Sequence, residues 1–122
     1  MMGDGSSGGS AFNVKDALAR LGSNKKLYEK LLARFLADYS DFYGKLRAAI
    51  DEKDLEGAYH LAHTMKGLGG NLGADALHAA SLAVETICKS GSVTPELEGA
   101  MENFSSELDR ALDEVRAGVN ME

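Results

Sequence analysis

From Asn24 to Val115 apolar side chains return every three or four residues, and a single proline, Pro95, punctuates the chain. A period near 3.6 keeps such residues on one face of a helix, whereas a half-buried strand needs strict alternation. No run of alternation is long enough for a sheet, and β-branched residues are few. The chain is expected to be all-α.

Local signals place the elements. A short helix is expected over residues 13–21, with Asn13 as N-cap and Gly22 ending it. The next stripe runs Leu27, Leu31, Phe35, Tyr39, Phe42, Leu46 and Ile50, and we divide it near Ser40 and Asp41, both good capping residues. One kinked helix is the competing reading. Asp54 should cap a helix with the stripe Leu55, Ala58, Ala62, Met65, Gly69 and Leu72, ended by Gly73. A further helix runs from about Asp75 through Leu77, Ala80, Val84 and Ile87 to Lys89, closed by Gly91. Thr94-Pro95-Glu96 is a strong helix start, with threonine at the N-cap, proline at N1 and an acid in the first turn. The stripe Leu97, Met101, Phe104, Leu108, Ala111 and Val115 follows, and Gly118 stops it. Amphipathic helices joined by short loops pack most simply as an antiparallel four-helix bundle, here with the short N-terminal helix capping one end.

At 122 residues the chain is long enough for one domain with a real core, assigned to residues 11–118. The opening MMGDGSSGGS, residues 1–10, reads as a flexible Gly/Ser-rich linker or cloning remnant, and residues 119–122 as a C-terminal tail. Net charge is -6, which argues against nucleic acid because phosphate contacts need clustered Lys and Arg. No apolar run approaches the roughly 18 residues of a membrane span, so no membrane contact is expected of this segment. The single cysteine, Cys88, excludes an internal disulfide and fits a reducing, cytoplasmic compartment; on an apolar stripe it reads as a buried, inert thiol.

The stretch AHTMKGLGGNLGA, from Ala62 to Ala74, departs from good helix chemistry by placing four glycines in the seven positions after Lys66. A glycine in a helix interior costs about 1 kcal/mol relative to alanine, so these need another reason. At 100° per residue His63 lies roughly 130° from the centre of its helix's apolar stripe and should be exposed. Gly67 and Gly70 follow it by four and seven residues on the same face, so they would clear side chains from around the imidazole. Gly69 falls on the core side, where close helix approach explains it. Lys66, three residues on, lies beside the ring; a neighbouring cation disfavours imidazolium and would stabilise an incoming anion. A neutral nucleophile with an adjacent cation describes a phosphoryl-accepting histidine.

His63-Thr-Met-Lys66-Gly67, continued by Gly70-Asn71-Leu72-Gly73-Ala74 and Leu77, closely resembles the histidine phosphotransfer (HPt) domain of bacterial multistep phosphorelays. The resemblance extends to the upstream LYEKLLARF segment and the Val84-Glu85 pair, covering nearly all of the chain after residue 11. It implies a four-helix bundle whose His63 accepts a phosphoryl group from a receiver-domain aspartate and passes it to another, with Lys66 neutralising phosphoryl charge and Gly67 giving clearance. The implied partners are response-regulator receiver domains, with an upstream hybrid sensor kinase as a further candidate. The resemblance implies a phosphocarrier rather than an independent enzyme, either free-standing or a piece of a hybrid kinase. It is expected to act as a monomer and without cofactor, Mg2+ residing on the receiver. Family members commonly hold the second imidazole nitrogen with a glutamine on the facing helix, where this chain has Glu85. That carboxylate could orient the ring or pair with Lys66, yet it would repel phosphate; an exposed Glu85 without a role is the other reading.

Other constellations carry less. The glycines do not form G-x-G-x-x-G, since Leu72 occupies the sixth place, and no strand precedes them. His60, His63 and His78 have no cysteine near, two of the three should face solvent and nothing supplies supporting partners, so no metal is expected. Tyr59, one turn before His63, and His60 at the border of the same face are assigned with Gly70 to partner contact, although core packing competes for Tyr59. Phe12 and Leu18 of the short first helix would flank this surface. Two other functions compete with this one. A helical adaptor that binds receivers without phosphotransfer would gain helix stability from alanine at position 67. A histidine-kinase dimerisation bundle usually has an acid directly after its histidine, where Thr64 stands here.

Overall fold

The computed structural model describes residues 10–121, which form six α-helices and no strand among the described residues. The Gly/Ser-rich segment expected at residues 1–10 lies outside the described residues except for Ser10. The helices are α1 (Val14–Arg20), α2 (Lys25–Tyr39), α3 (Phe42–Asp51), α4 (Leu55–Leu72), α5 (Asp75–Lys89) and α6 (Pro95–Ala117).

Their ends follow local chemistry. Asn13, Asn24 and Asp54 each accept a hydrogen bond from the backbone N–H three residues on, at Asp16, Leu27 and Gly57. Gly73 closes α4 in the left-handed region at φ 78°, with its N–H donating to the carbonyl of Gly70 at 3.2 Å. Two expected caps behave differently. Thr94 holds the N-cap position of α6 but its hydroxyl makes no cap bond, so Pro95 and the first-turn acids Glu96 and Glu98 mark this start. The division between α2 and α3 falls at Ser40 and Asp41, but Asp41 makes no side-chain cap and the Ser40 hydroxyl donates back to the Leu36 carbonyl. Ser40 also keeps helical angles, so the two helices are nearly continuous.

The core is one cluster drawn from all six helices. On α4 the buried residues are Ala58, Ala62, Met65, Gly69 and Leu72, the expected stripe without its first member. On α2 the first turns are rotated from expectation: Tyr28 and Leu32 are buried, while Leu27 is exposed and Leu31 half-buried. Inward, the Tyr28 ring is buried and its hydroxyl reaches across to donate to the Leu72 carbonyl at 2.7 Å. That carbonyl belongs to the last turn of α4, where no intrahelical donor remains for it. Leu27 would bring no donor.

The most extensive helix pairing is α4 against α5, followed by α5 against α6; α3 packs on α4, and α2 contacts α6 and α4. Gly69 makes the α4–α5 approach possible. A Cβ there would stand 3.3 Å from the backbone nitrogen of His78 and 3.6 Å from the carbonyl oxygen of Ala74. Phe12 is buried, its ring 6.4 Å from that of Phe35 in an edge-on arrangement, and Leu18 packs half-buried on the core. Phe12 is thus part of the core rather than a flank of the His63 surface, and α1 packs against α2 and α4. The segment before α1 is fastened further by the Ala11 N–H, which donates to Glu114 at 2.7 Å, and by the Asn13 N–H, which donates to the Gly73 carbonyl at 2.7 Å. Beyond Gly118, Val119 and Met121 are half-buried and pack against the core.

Candidate functional site

His63 projects from the outer face of α4 with 56% of its side chain exposed, as its angle from the stripe requires. Its Nδ1 lies 3.3 Å from Oε2 of Glu85 on α5. Glu85 is among the few buried polar residues, its side chain only 11% exposed, and the same carboxylate meets the Lys66 ammonium at 3.0 Å through Oε1. Glu85 is therefore not an exposed bystander. It is the junction of a three-membered group in which α4 supplies the ring and the cation and α5 supplies the anion.

The electrostatics are mutual. Burial alone pulls the Glu85 carboxyl upward, but the hydrogen bonds and charges of Lys66 and then His63 outweigh it and hold the group below its ordinary value. An ionised carboxylate only accepts, so Nδ1 of His63 must be the N–H that donates to it. The lone pair of the neutral ring then sits on Nε2. Tyr59 completes the support: its ring stacks on that of His63 with centroids 5.8 Å apart and planes 18° apart. Tyr59 is half-buried and packs on the core, as its core reading expects. His60 is exposed beside it, ring centroids 5.2 Å apart.

The two glycines assigned to clearance differ. A Cβ at Gly67 would meet nothing within 4 Å, so the surface next to His63 is open there. A Cβ at Gly70 would stand 3.1 Å from Nδ1 of His78. The expectation that Gly70 bares His63 is thus corrected: its space is taken by the His78 ring, whose Nδ1–H donates to the Lys66 carbonyl at 2.9 Å. Arg20 of α1 donates to the Gly70 carbonyl on the same stretch. From sequence alone His78 reads only as a remote metal ligand. The signal that places it was present, because His78 and Glu85 are seven residues apart and so share one face of a helix.

Among the described residues no three His, Cys, Asp or Glu side chains gather as metal ligands would, and no helix is long and apolar enough to cross a membrane. Cys88 is buried, and burial pushes its thiol up and away from the reactive thiolate. It borders a shallow groove of about 400 Å³ with Leu55, Glu56, Tyr59, Lys89 and Gly91, one turn from His63 along α4.

An outward-facing histidine with one nitrogen fastened and a cation at its side can offer its other nitrogen as a nucleophile to an incoming anion. A family model described as Hpt domain matches residues 30–118, from within α2 to the end of α6. The chain belongs to the Hpt domain family of phosphorelay signalling, and a histidine phosphotransfer role follows in general terms. No curated protein and no solved structure gives a significant match.

Proposed function

We propose that this domain is a phosphorelay carrier that accepts a phosphoryl group on Nε2 of His63 from the aspartyl phosphate of one response-regulator receiver and passes it to the aspartate of another. The observation that carries this reading is the ring's attachment: an exposed His63 held at Nδ1 by a buried carboxylate, with open surface over Gly67. Fixing Nδ1 removes the choice of tautomer and presents the lone pair at Nε2 before the partner arrives.

Lys66 is the residue nearest to hand for the charge of the transferred group. Its ammonium rests on Glu85 at 3.0 Å and is 24% exposed, so it can turn toward phosphoryl oxygens without being drawn out of a sealed core. Gly67 leaves room for the receiver's active-site rim. Tyr59 and His60 border the docking face, and Gly70 contributes through the seat it gives His78. Mg2+ and the acidic cluster that holds it belong to the receiver, so the domain works as a monomeric cytoplasmic carrier with no cofactor of its own. In the proposed architecture α2 and α3 act as one bent arm, antiparallel to α4, with α5 and α6 completing four layers of a bundle.

The test is transfer of label from receivers phosphorylated on aspartate to wild type and to His63→Gln. Label is expected on wild type alone, and equal labelling of the variant overturns the assignment. Receiver binding without label on either protein would establish the adaptor reading instead.

A further inference from the structure

We infer that Glu85 keeps the Nδ1 proton on the His63 ring throughout the transfer cycle, so that the phosphorylated side chain is a phosphoimidazolium paired with a carboxylate. This rests on the proposed phosphotransfer at His63 and specifies its proton chemistry.

The argument begins with what each partner of Nδ1 can do. A carboxamide can donate to a bare ring nitrogen or accept from a protonated one, so it is satisfied in either state. An ionised carboxylate accepts only. If the phosphorylated ring lost its Nδ1 proton, a nitrogen lone pair would face Oε2 of Glu85 across 3.3 Å, and a carboxylate with an 11% exposed side chain would lose that donor with little water to replace it. Keeping the proton leaves the hydrogen bond in place and sets a positive ring beside a negative partner. The charged surroundings favour this. Lys66 and His63, both on α4, are the groups whose charges bear on Glu85. On α5 itself His78 is turned to the Lys66 carbonyl and Lys89 is exposed. On its other side α5 meets α6, which buries Leu97, Met101, Phe104 and Leu108. The neighbours of His63 along α4, Tyr59 and His60, bring aromatic rings, and α3 presents Phe42, Leu46 and Ile50 to the core.

The steps balance without a proton from solvent. The Nε2 lone pair attacks phosphorus, the P–O bond to the donor aspartate breaks, and its electron pair leaves on that carboxylate. The ring now carries a positive charge with its Nδ1–H still on Glu85. In the onward step an oxygen of the acceptor aspartate attacks phosphorus, the P–N bond breaks, and its pair returns to Nε2. The neutral Nδ1–H ring is restored directly. A phosphoimidazolium has a better leaving group than a neutral phosphoimidazole, so this carrier is built for rapid onward transfer rather than storage.

The experiment phosphorylates the 15N-histidine-labelled protein with phosphoramidate and follows the phosphorylated ring by 15N and 31P NMR from pH 6 to 10. The expected result is that Nδ1 of phosphorylated wild type loses its proton at least about one pH unit higher than in Glu85→Gln, a tenfold difference in protonation equilibrium. At pH 8 the wild-type phosphohistidine should decay several-fold faster than that of the variant. Lys66→Gln, which removes the cation competing for the carboxylate, should move the wild-type midpoint further upward. A loss of structure would move both variants in one direction. Equal midpoints in wild type and Glu85→Gln, or a downward shift in both variants, overturn the inference while leaving phosphotransfer intact. Absence of phosphate on His63 in wild type overturns both.

Discussion

Nδ1 of His63 lies 3.3 Å from Oε2 of Glu85, a contact that joins an exposed side chain of α4 to the one buried acid of α5. Glu85 also meets Lys66 at 3.0 Å, and the pair holds its carboxyl below the usual range against the upward pull of burial. A carboxyl lower in the folded than in the unfolded chain binds fewer protons when folded at mildly acid pH. Its contribution to stability is therefore present at neutral pH and is lost as pH falls below the ordinary carboxylate value and through the folded one. We expect Glu85→Gln to be less stable than wild type by about 1–2 kcal/mol at pH 7. In urea unfolding the gap should narrow toward pH 3, and a gap that widens in acid would contradict the ion pair.

Gly67 and Gly70 should separate function from stability. Gly67→Leu adds a side chain where nothing lies within 4 Å, so helix content should be kept and stability should rise by up to about 1 kcal/mol. Phosphotransfer should nevertheless fall by about 100-fold or more, because the receiver can no longer close on His63. Gly70→Leu drives a side chain into the His78 ring and should destabilise by about 1–3 kcal/mol. Thermal unfolding and a transfer assay on both variants measure the contrast.

Gly73 carries two constraints at once. Its φ is 78°, and a Cβ would come to 2.6 Å of the Asn13 carbonyl oxygen, which is backbone and cannot swing aside. Gly91 has φ 80° with nothing within 4 Å. Gly91→Ala should therefore show only the left-handed penalty of about 1 kcal/mol, and Gly73→Ala clearly more. Equal losses in denaturant unfolding would show that the Asn13 contact gives way freely.

Tyr28 links α2 to the end of α4 through its hydroxyl, and burial first, then the nearby Glu114 charge, pushes its phenol up to about 12. The contribution of this group is whole below the ordinary phenol value near 10 and is lost as pH rises from there through the folded value. Tyr28→Phe should cost about 1–2 kcal/mol at neutral pH by stranding the Leu72 carbonyl. Ultraviolet titration should show one of the four tyrosines ionising late in wild type, and its absence in Tyr28→Phe assigns it.

Much of this was legible in the order of residues. The ends of α1, α4 and α5 fall where Asn13, Asp54, Gly73 and Lys89 placed them, because caps and glycine stops act within a few residues of themselves. The exposure of His63 followed from its angle on α4, which depends on that helix alone. The proximity of Lys66 followed from a spacing of three. Where the reading turned on a neighbouring helix, it went astray. Gly70 shares a face with His63, yet what fills the space above it is His78 from α5. Leu27 fits the stripe of α2, yet Tyr28 is the residue turned inward, where it meets an acceptor on α4.

The sequence by itself determined an all-helical chain, an outward His63 with Lys66 beside it, and bare backbone at Gly67. Only the tertiary structure decided that Glu85 is buried, that it fastens the ring at Nδ1, and that it shares its charge with Lys66. Helical periodicity fixes the direction of each side chain about its own axis, but the register and closeness of two packed helices depend on the side chains of both. Here α5 approaches α4 closely at Gly69, and the packed pair brings Glu85 to the histidine.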